Sequence, residues 1–255
     1  ENGCQLEQIV EITGLYKSYR VDHGVLPVLD GVDLQVAAGE FISIIGPSGC
    51  GKSTLFRIIA GLEKNYTGTV RIYGTDVRTE KPRLAYMLQK DLLLSWRTVW
   101  QNIILPLELS GALKDTDTEY LKHMASEFGL LPFLQAWPDE LSGGMRQRAA
   151  LLRTWLMEGE VMLLDEPFGA LDAITRYHMQ DWLTEVWENH RKTVLFITHD
   201  IEEAIYLSDK VYVMSPRPGK LTGRFETGFD RPRNREILYS EEFQRQKKEL
   251  MSMLK

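Results

Sequence analysis

The chain has 255 residues, is 44% hydrophobic and 26% charged, and carries a net charge of −6. That length gives ample apolar material for a packed core, the balance is that of a soluble globular chain, and the absence of a basic excess argues against a general nucleic-acid binder. Its two cysteines, Cys4 and Cys50, are too few for a disulfide framework and point to a reducing compartment. No apolar run reaches the roughly 18 residues a membrane span needs, and the opening "ENGCQLEQ" lacks the basic and apolar regions of a secretory signal.

In chain order, "VEITGLYKSYR" and "LDGVDLQVAAG" come first. Both look like short amphipathic strands with turns and predict a small antiparallel sheet. "FISII" (41–45) follows as a fully apolar run, then a helical pattern over about 53–61 and a strand in "LAYML". From about 92 to 158 the pattern is helical, interrupted at Pro106, Gly129 and Pro138, which predicts a helical subdomain inserted into the core. Its last helix covers about 145–158. "VMLLD" (161–165), "TVLFIT" (193–198) and "VYVM" (211–214) are short and nearly all apolar, as in strands buried on both faces of a parallel sheet. Helical patterns at about 173–190 and 201–207 separate them. The expected fold is a single α/β domain over 1–255 with a mostly parallel sheet. A tail over about 216–255 holds one more short strand and a polar helix from about 240.

"GPSGCGKS" fits G-x-x-x-x-G-K-[ST] at Gly46, Gly51, Lys52 and Ser53. Glycines let backbone N–H groups close around an anion, the following helix adds its N-terminal dipole, and the lysine supplies a cation. "FISII" before it and "STLFRIIAGL" after it are the strand and helix the motif requires. Lys52 would then reach the β- and γ-phosphates, and the Ser53 hydroxyl would ligate Mg²⁺. Cys50, inside the loop, reads as a small filler residue in preference to a reactive thiol. A phosphate loop needs a carboxylate for the metal and a group to orient the nucleophile. "VMLLDEP" offers Asp165 for Mg²⁺ and Glu166 as acceptor of a proton from the attacking water. "FITHD" places His199 at the end of another apolar run, where ligands collect in parallel sheets.

A second glycine-rich turn, "LSGGMRQR", opens a helix without a lysine. Ser142, Gly143 and Gly144 make it a further anion-binding helix start. One chain cannot easily wrap both turns around one triphosphate, whereas two copies placed head to tail can, each lending its second turn to the other's nucleotide.

With these motifs in this order, the chain resembles the ATP-binding subunits of ABC transporters, with a P-loop NTPase core, an N-terminal antiparallel subdomain and an inserted helical subdomain. The resemblance implies that Tyr19 stacks on adenine, and that Gly46, Pro47, Ser48, Gly49, Cys50, Gly51, Lys52, Ser53 and Thr54 form the phosphate loop. It implies Gln89 as the Q-loop residue, binding ATP and metal with Ser53 and Asp165. It makes Leu141, Ser142, Gly143, Gly144 and Met145 the signature that meets the partner subunit's ATP, with methionine where glutamine is commoner. Asp172 falls in the D-loop, Glu166 is the catalytic glutamate and His199 the switch histidine. The implied assembly is a homodimer binding ATP with Mg²⁺ at the cytoplasmic face of the membrane. It drives a separate permease and, indirectly, a solute-binding protein, with no nucleic acid involved.

"LLLSWRTVWQNIILPLEL" (92–109), "LSGGMRQRAAL" and "VMSPRPGK" (213–220) resemble importers of the nitrate, sulfonate and taurine type, with Leu94–Ser95 where Leu-Pro is frequent. Trp96 and Trp100 fit either packing within the helical region or a groove that grips the permease. A half-exporter would usually carry its own membrane helices, and a chromosome-organising ATPase would need long insertions that this sequence lacks.

Overall fold

The computed structural model describes residues 7–22 and 24–254; Cys4 lies outside them. Two compact units are present, one formed by Glu1–Pro82 with Leu183–Lys255 and the other by Arg83–Trp182.

The first unit opens with β1 (Gln8–Val21) and β2 (Gly24–Ala37), paired antiparallel. Each is 14 residues long, not the short strand expected. The pairing register shifts between Ile12 and Leu15, and the alternation changes phase there: Val10 and Ile12 are buried before the shift, with Ile9 beside them, and Leu15 and Lys17 after it. A period-2 pattern that slips at a bulge reads in sequence as two strands. β3 (Phe41–Ile45) is buried along its whole length and runs into α1 (Lys52–Ile59). β4 (Thr67–Ile72) and β5 (Thr75–Asp76) extend the antiparallel sheet to the order β2-β1-β4-β5.

The second unit begins with β6 (Leu84–Met87). α2 (Val99–Ile103) starts at a capping box, in which Thr98 and Gln101 each bond the other's backbone N–H, a sequence-local device that fixes a helix start. α3 (Leu105–Ser110) carries Pro106 in its first turn. The proline therefore opens this helix, and the break falls at Ile104, one reason being that a missing N–H costs nothing where no helical partner exists. α4 (Thr118–Glu127) ends before Gly129. α5 (Gly143–Trp155), β7 (Val161–Asp165) and α6 (Ala173–His190) follow. β6 and β7 pair in parallel. Phe128 and Trp155 both meet Trp182 edge-on, at centroid distances of 4.2 and 5.6 Å. This unit is wider than the segment 92–158, because it takes in β6 and β7.

The chain returns to the first unit at Leu183, within α6, and continues with β8 (Thr193–Ile197), α7 (Ile201–Leu207), β9 (Lys210–Met214), β10 (Leu221–Glu226) and α8 (Glu241–Met253). β3 lies between β8 and β9, parallel to both, and β10 joins β9 antiparallel. Phe41 packs edge-on against the fully buried Trp187 at 5.7 Å. Arg233, 7% exposed, donates to the carbonyls of Ile205, Tyr206 and Ser208 at 3.0, 2.8 and 2.8 Å. It closes the C-terminal end of α7 with a charge that suits the helix dipole.

Candidate functional site

In the first unit, β3 ends at Ile45 and the phosphate loop begins at buried Gly46. A Cβ on Gly46 would stand 2.6 Å from the Met214 carbonyl of β9, so only glycine leaves the sheet here. The loop curls back through Gly49 and Gly51, at φ +76° and +113°, onto α1. Lys52, 6% exposed, points its ammonium into the curl, donating to the Gly46 and Pro47 carbonyls at 2.8 and 3.1 Å. Cys50 is buried and free, with its Sγ 3.7 Å from the Lys52 Nζ; it fills the loop. Among the described residues no side chain caps the N-terminus of α1, and its first turn has no acidic residue. Its unpaired N–H groups and positive dipole end are therefore offered to an external anion.

β8 runs beside β3 with Ile197 opposite Ile44, and the Thr198 N–H reaches the Ile44 carbonyl at 3.4 Å. His199 thus leaves the sheet at the same edge as the phosphate loop, exposed, just before Asp200 caps α7. Tyr19 on β1 faces Leu26 of β2 in register, and Lys17 faces Leu29. The Val28 and Leu29 segment lies against Gly51. The Gly219 N–H donates to the Val28 carbonyl at 2.8 Å. The N-terminal sheet, the phosphate loop and the "SPRPGK" turn therefore meet, and Tyr19 stands on the sheet that borders the loop.

The second unit gathers the remaining candidates. β7 delivers buried Asp165, and Glu166 follows at φ +49°. A non-glycine residue in the left-handed region is strained, and such strain concentrates at functional positions. Gln89 donates through Nε2 to the Glu166 carboxylate at 3.2 Å. Gln147, on α5, donates to the Glu166 carbonyl at 3.0 Å and accepts from the Ala170 N–H at 2.9 Å. This buried glutamine clamps the turn between β7 and α6. Sequence reasoning missed it, although a glutamine on the buried face of a helix is itself a signal, because a buried amide needs partners.

The signature turn starts α5. Leu141 is buried, Ser142 caps the helix by accepting from the Met145 N–H at 3.2 Å, and Gly143 and Gly144 form its first turn. Two arginines on α5 hold the segment after Gln89. Arg146 pairs with Asp91 at 3.1 Å, and Arg153 donates to the Asp91 carbonyl at 2.8 Å. Asp172 caps α6 through the Thr175 N–H at 3.0 Å, and hydrogen bonds from Thr175 hold its carboxyl below the usual carboxylate range. Exposed Trp96 and half-buried Trp100 flank the start of α2. The same unit holds an apolar pocket whose lining includes Tyr86, Met87, Leu92, Pro106, Leu109 and Met157.

The model of the family described as "ABC transporter" matches residues 29–169. The chain is 40% identical over 246 residues to the uncharacterized ABC transporter ATP-binding protein MJ0412 of Methanocaldococcus jannaschii, covering 96% of this chain and 91% of that one. It is 40% identical over 243 residues to the aliphatic sulfonates import ATP-binding protein SsuB of Bacillus cereus, covering 95% and 94%. Among solved structures, the dimeric structure of MJ0796, a bacterial ABC transporter cassette, superposes with a TM-score of 0.78 at 27% identity, over 87% of this chain and all of that one. A post-hydrolysis state of the same cassette, bound to ADP and Pi, gives 0.77 at 27% identity over the same shares. The likeness covers both units of an α/β P-loop fold.

Proposed function

We propose that this chain, which belongs to the ABC transporter family and is its ATP-hydrolysing, ATP-binding subunit, powers an importer of small oxyanionic solutes of the sulfonate, nitrate or taurine type through a separate permease. The likeness to a sulfonate importer's ATP-binding protein along almost the whole of both chains supports the solute class.

The observation that carries the catalytic assignment is the Gln89 amide bonded to the Glu166 carboxylate. It joins the Q-loop to a strained glutamate that follows a buried aspartate. Glu166 takes the proton of the attacking water, His199 contacts the γ-phosphate, and the phosphate loop with Lys52 offsets the charge on the transferring group. Bond cleavage releases ADP and phosphate. Among the described residues no three-carboxylate or histidine cluster forms a metal cage. The candidate donors are a hydroxyl (Ser53), a carboxylate (Asp165) and an amide (Gln89), all hard oxygens. This sparse set fits Mg²⁺, which takes few protein ligands beside substrate phosphates. When bound, the metal neutralises charge on the β- and γ-phosphate oxygens.

Tyr19 stacks on the adenine base. Signature residues Leu141 to Met145 and Asp172 serve the nucleotide of a second copy in a head-to-tail homodimer; the dimeric structure of the MJ0796 cassette supports a two-copy assembly. The apolar pocket lined by Leu92, Pro106 and Leu109, together with exposed Trp96, receives the permease at the cytoplasmic face of the membrane.

Glu166→Gln tests the chemistry. Phosphate release should fall by about 10²–10⁴-fold with ATP affinity retained; turnover near the unaltered rate would place the base elsewhere. Deleting the gene and following growth on an aliphatic sulfonate, taurine or nitrate as sole source tests the solute class, and unimpaired growth on all three would refute it.

A further inference from the structure

Lys17 is a lysine almost removed from solvent, at 3% exposure. Its ammonium donates to the Asn65 carbonyl at 2.6 Å, pairs with the Glu63 carboxylate at 3.1 Å, and stands 4.3 Å from the centre of the Tyr19 ring. An ammonium has three donors, and these three neighbours engage them. Glu63 is held in turn by the Asn65 N–H at 3.0 Å. Glu63 and Asn65 lie just past α1, where the Leu62 and Glu63 N–H groups close onto the Arg57 carbonyl. α1 spans eight residues, a rise of about 12 Å, with the phosphate loop at its start and the grip on Lys17 beyond its end.

Two consequences follow from this placement. One face of the Tyr19 ring is occupied by a cation, so a planar base can stack only on the other face. The cation also draws π-electron density away from that other face, which lowers its repulsion towards the electron cloud of a stacked base and favours the larger, electron-rich purines.

We propose that Lys17 is a positioning residue for nucleobase recognition: it fixes the orientation of Tyr19 relative to α1, sets the face on which the base stacks and strengthens that stack. The inference rests on the reading of Tyr19 as the base platform. It gives Lys17 a role in affinity for the base and none in contact with the phosphates.

The test compares ATP, UTP and inorganic tripolyphosphate by titration calorimetry on the full chain. Lys17→Met should weaken ATP by about five- to tenfold, the range expected of a desolvated cation–π contact. It should narrow the preference for ATP over UTP and leave tripolyphosphate within about twofold. Lys17→Arg should restore ATP binding, and Lys17→Met should have no further effect in a Tyr19→Leu background. Glu63→Gln, which keeps the lysine and loosens its hold, should give a smaller loss confined to ATP, and it carries the test if Lys17→Met does not fold. Equal losses for ATP and tripolyphosphate, or an unchanged ATP affinity, overturn the proposal. If Tyr19→Leu leaves ATP binding intact, the base platform itself is misassigned, an outcome distinct from a Tyr19-dependent affinity that ignores Lys17.

Discussion

Two alanines in the phosphate loop separate backbone strain from steric conflict. Gly49 has φ +76° with nothing within 4 Å of an added Cβ. Gly49→Ala should therefore cost only the left-handed penalty, about 1–2 kcal/mol. Gly51 has φ +113°, and its added Cβ would stand 2.8 Å from Leu29 Cδ2 and 3.1 Å from the Val28 carbonyl oxygen. The leucine methyl can turn aside, but the carbonyl belongs to paired β2 and receives the Gly219 N–H, so it yields only with the strand. Strain of about 1–3 kcal/mol and overpacking of about 1–3 kcal/mol put Gly51→Ala at roughly 2–6 kcal/mol. At about 2–4 °C per kcal/mol, the second variant should melt several degrees below the first in differential scanning calorimetry. Movement of Leu29 also disturbs Lys17, its partner in register, so Gly51→Ala should lower ATP affinity. Equal melting points for the two variants would refute the claim that β2 braces the phosphate loop.

Arg233→Met should destabilise by about 3 kcal/mol or more in urea denaturation, because the carbonyls of Ile205 and Tyr206 in α7 and of its C-cap Ser208 lose one buried donor group; a loss below about 1 kcal/mol would mean that water replaces the arginine. The Glu63 carboxyl is held below its ordinary 4.5: burial works to raise it, but the Asn65 N–H and Lys17 together outweigh that effect. A depressed folded value stabilises above the unfolded value and is lost as pH falls through the folded one. The melting-point gap between the unaltered chain and Glu63→Gln should therefore be constant above about pH 5 and shrink in acid; a gap that persists there would remove the carboxylate from the account. An added Cβ at Gly144 meets only the Leu171 methyl at 3.3 Å and the Ala170 carbonyl at 3.7 Å, so Gly144→Asp should fold and bind ATP, yet fail to hydrolyse it because its carboxylate opposes the partner's phosphates. Mixed with Lys52→Ala chains it should regain partial ATPase, since one composite site is then undamaged; no recovery on mixing would count against the shared site.

Much of this was legible without coordinates, for local reasons. Runs such as "FISII" and "VMLLD", short and nearly all apolar, fit strands buried on both faces. A phosphate loop is defined by glycines whose backbone no other residue copies. The turn at Ser142, read from sequence as opening a helix, caps it through a contact only three residues away, at Met145. The tertiary structure decided what depends on distant partners. The bulge beyond Ile12 hid the full length of β1 and β2, because a register slip erases the alternation that sequence reading counts. Gln147 gained meaning only when α5 lay under the turn after β7. Lys17, 48 positions before Asn65, looked like any strand lysine until folding removed it from water and required partners for its charge.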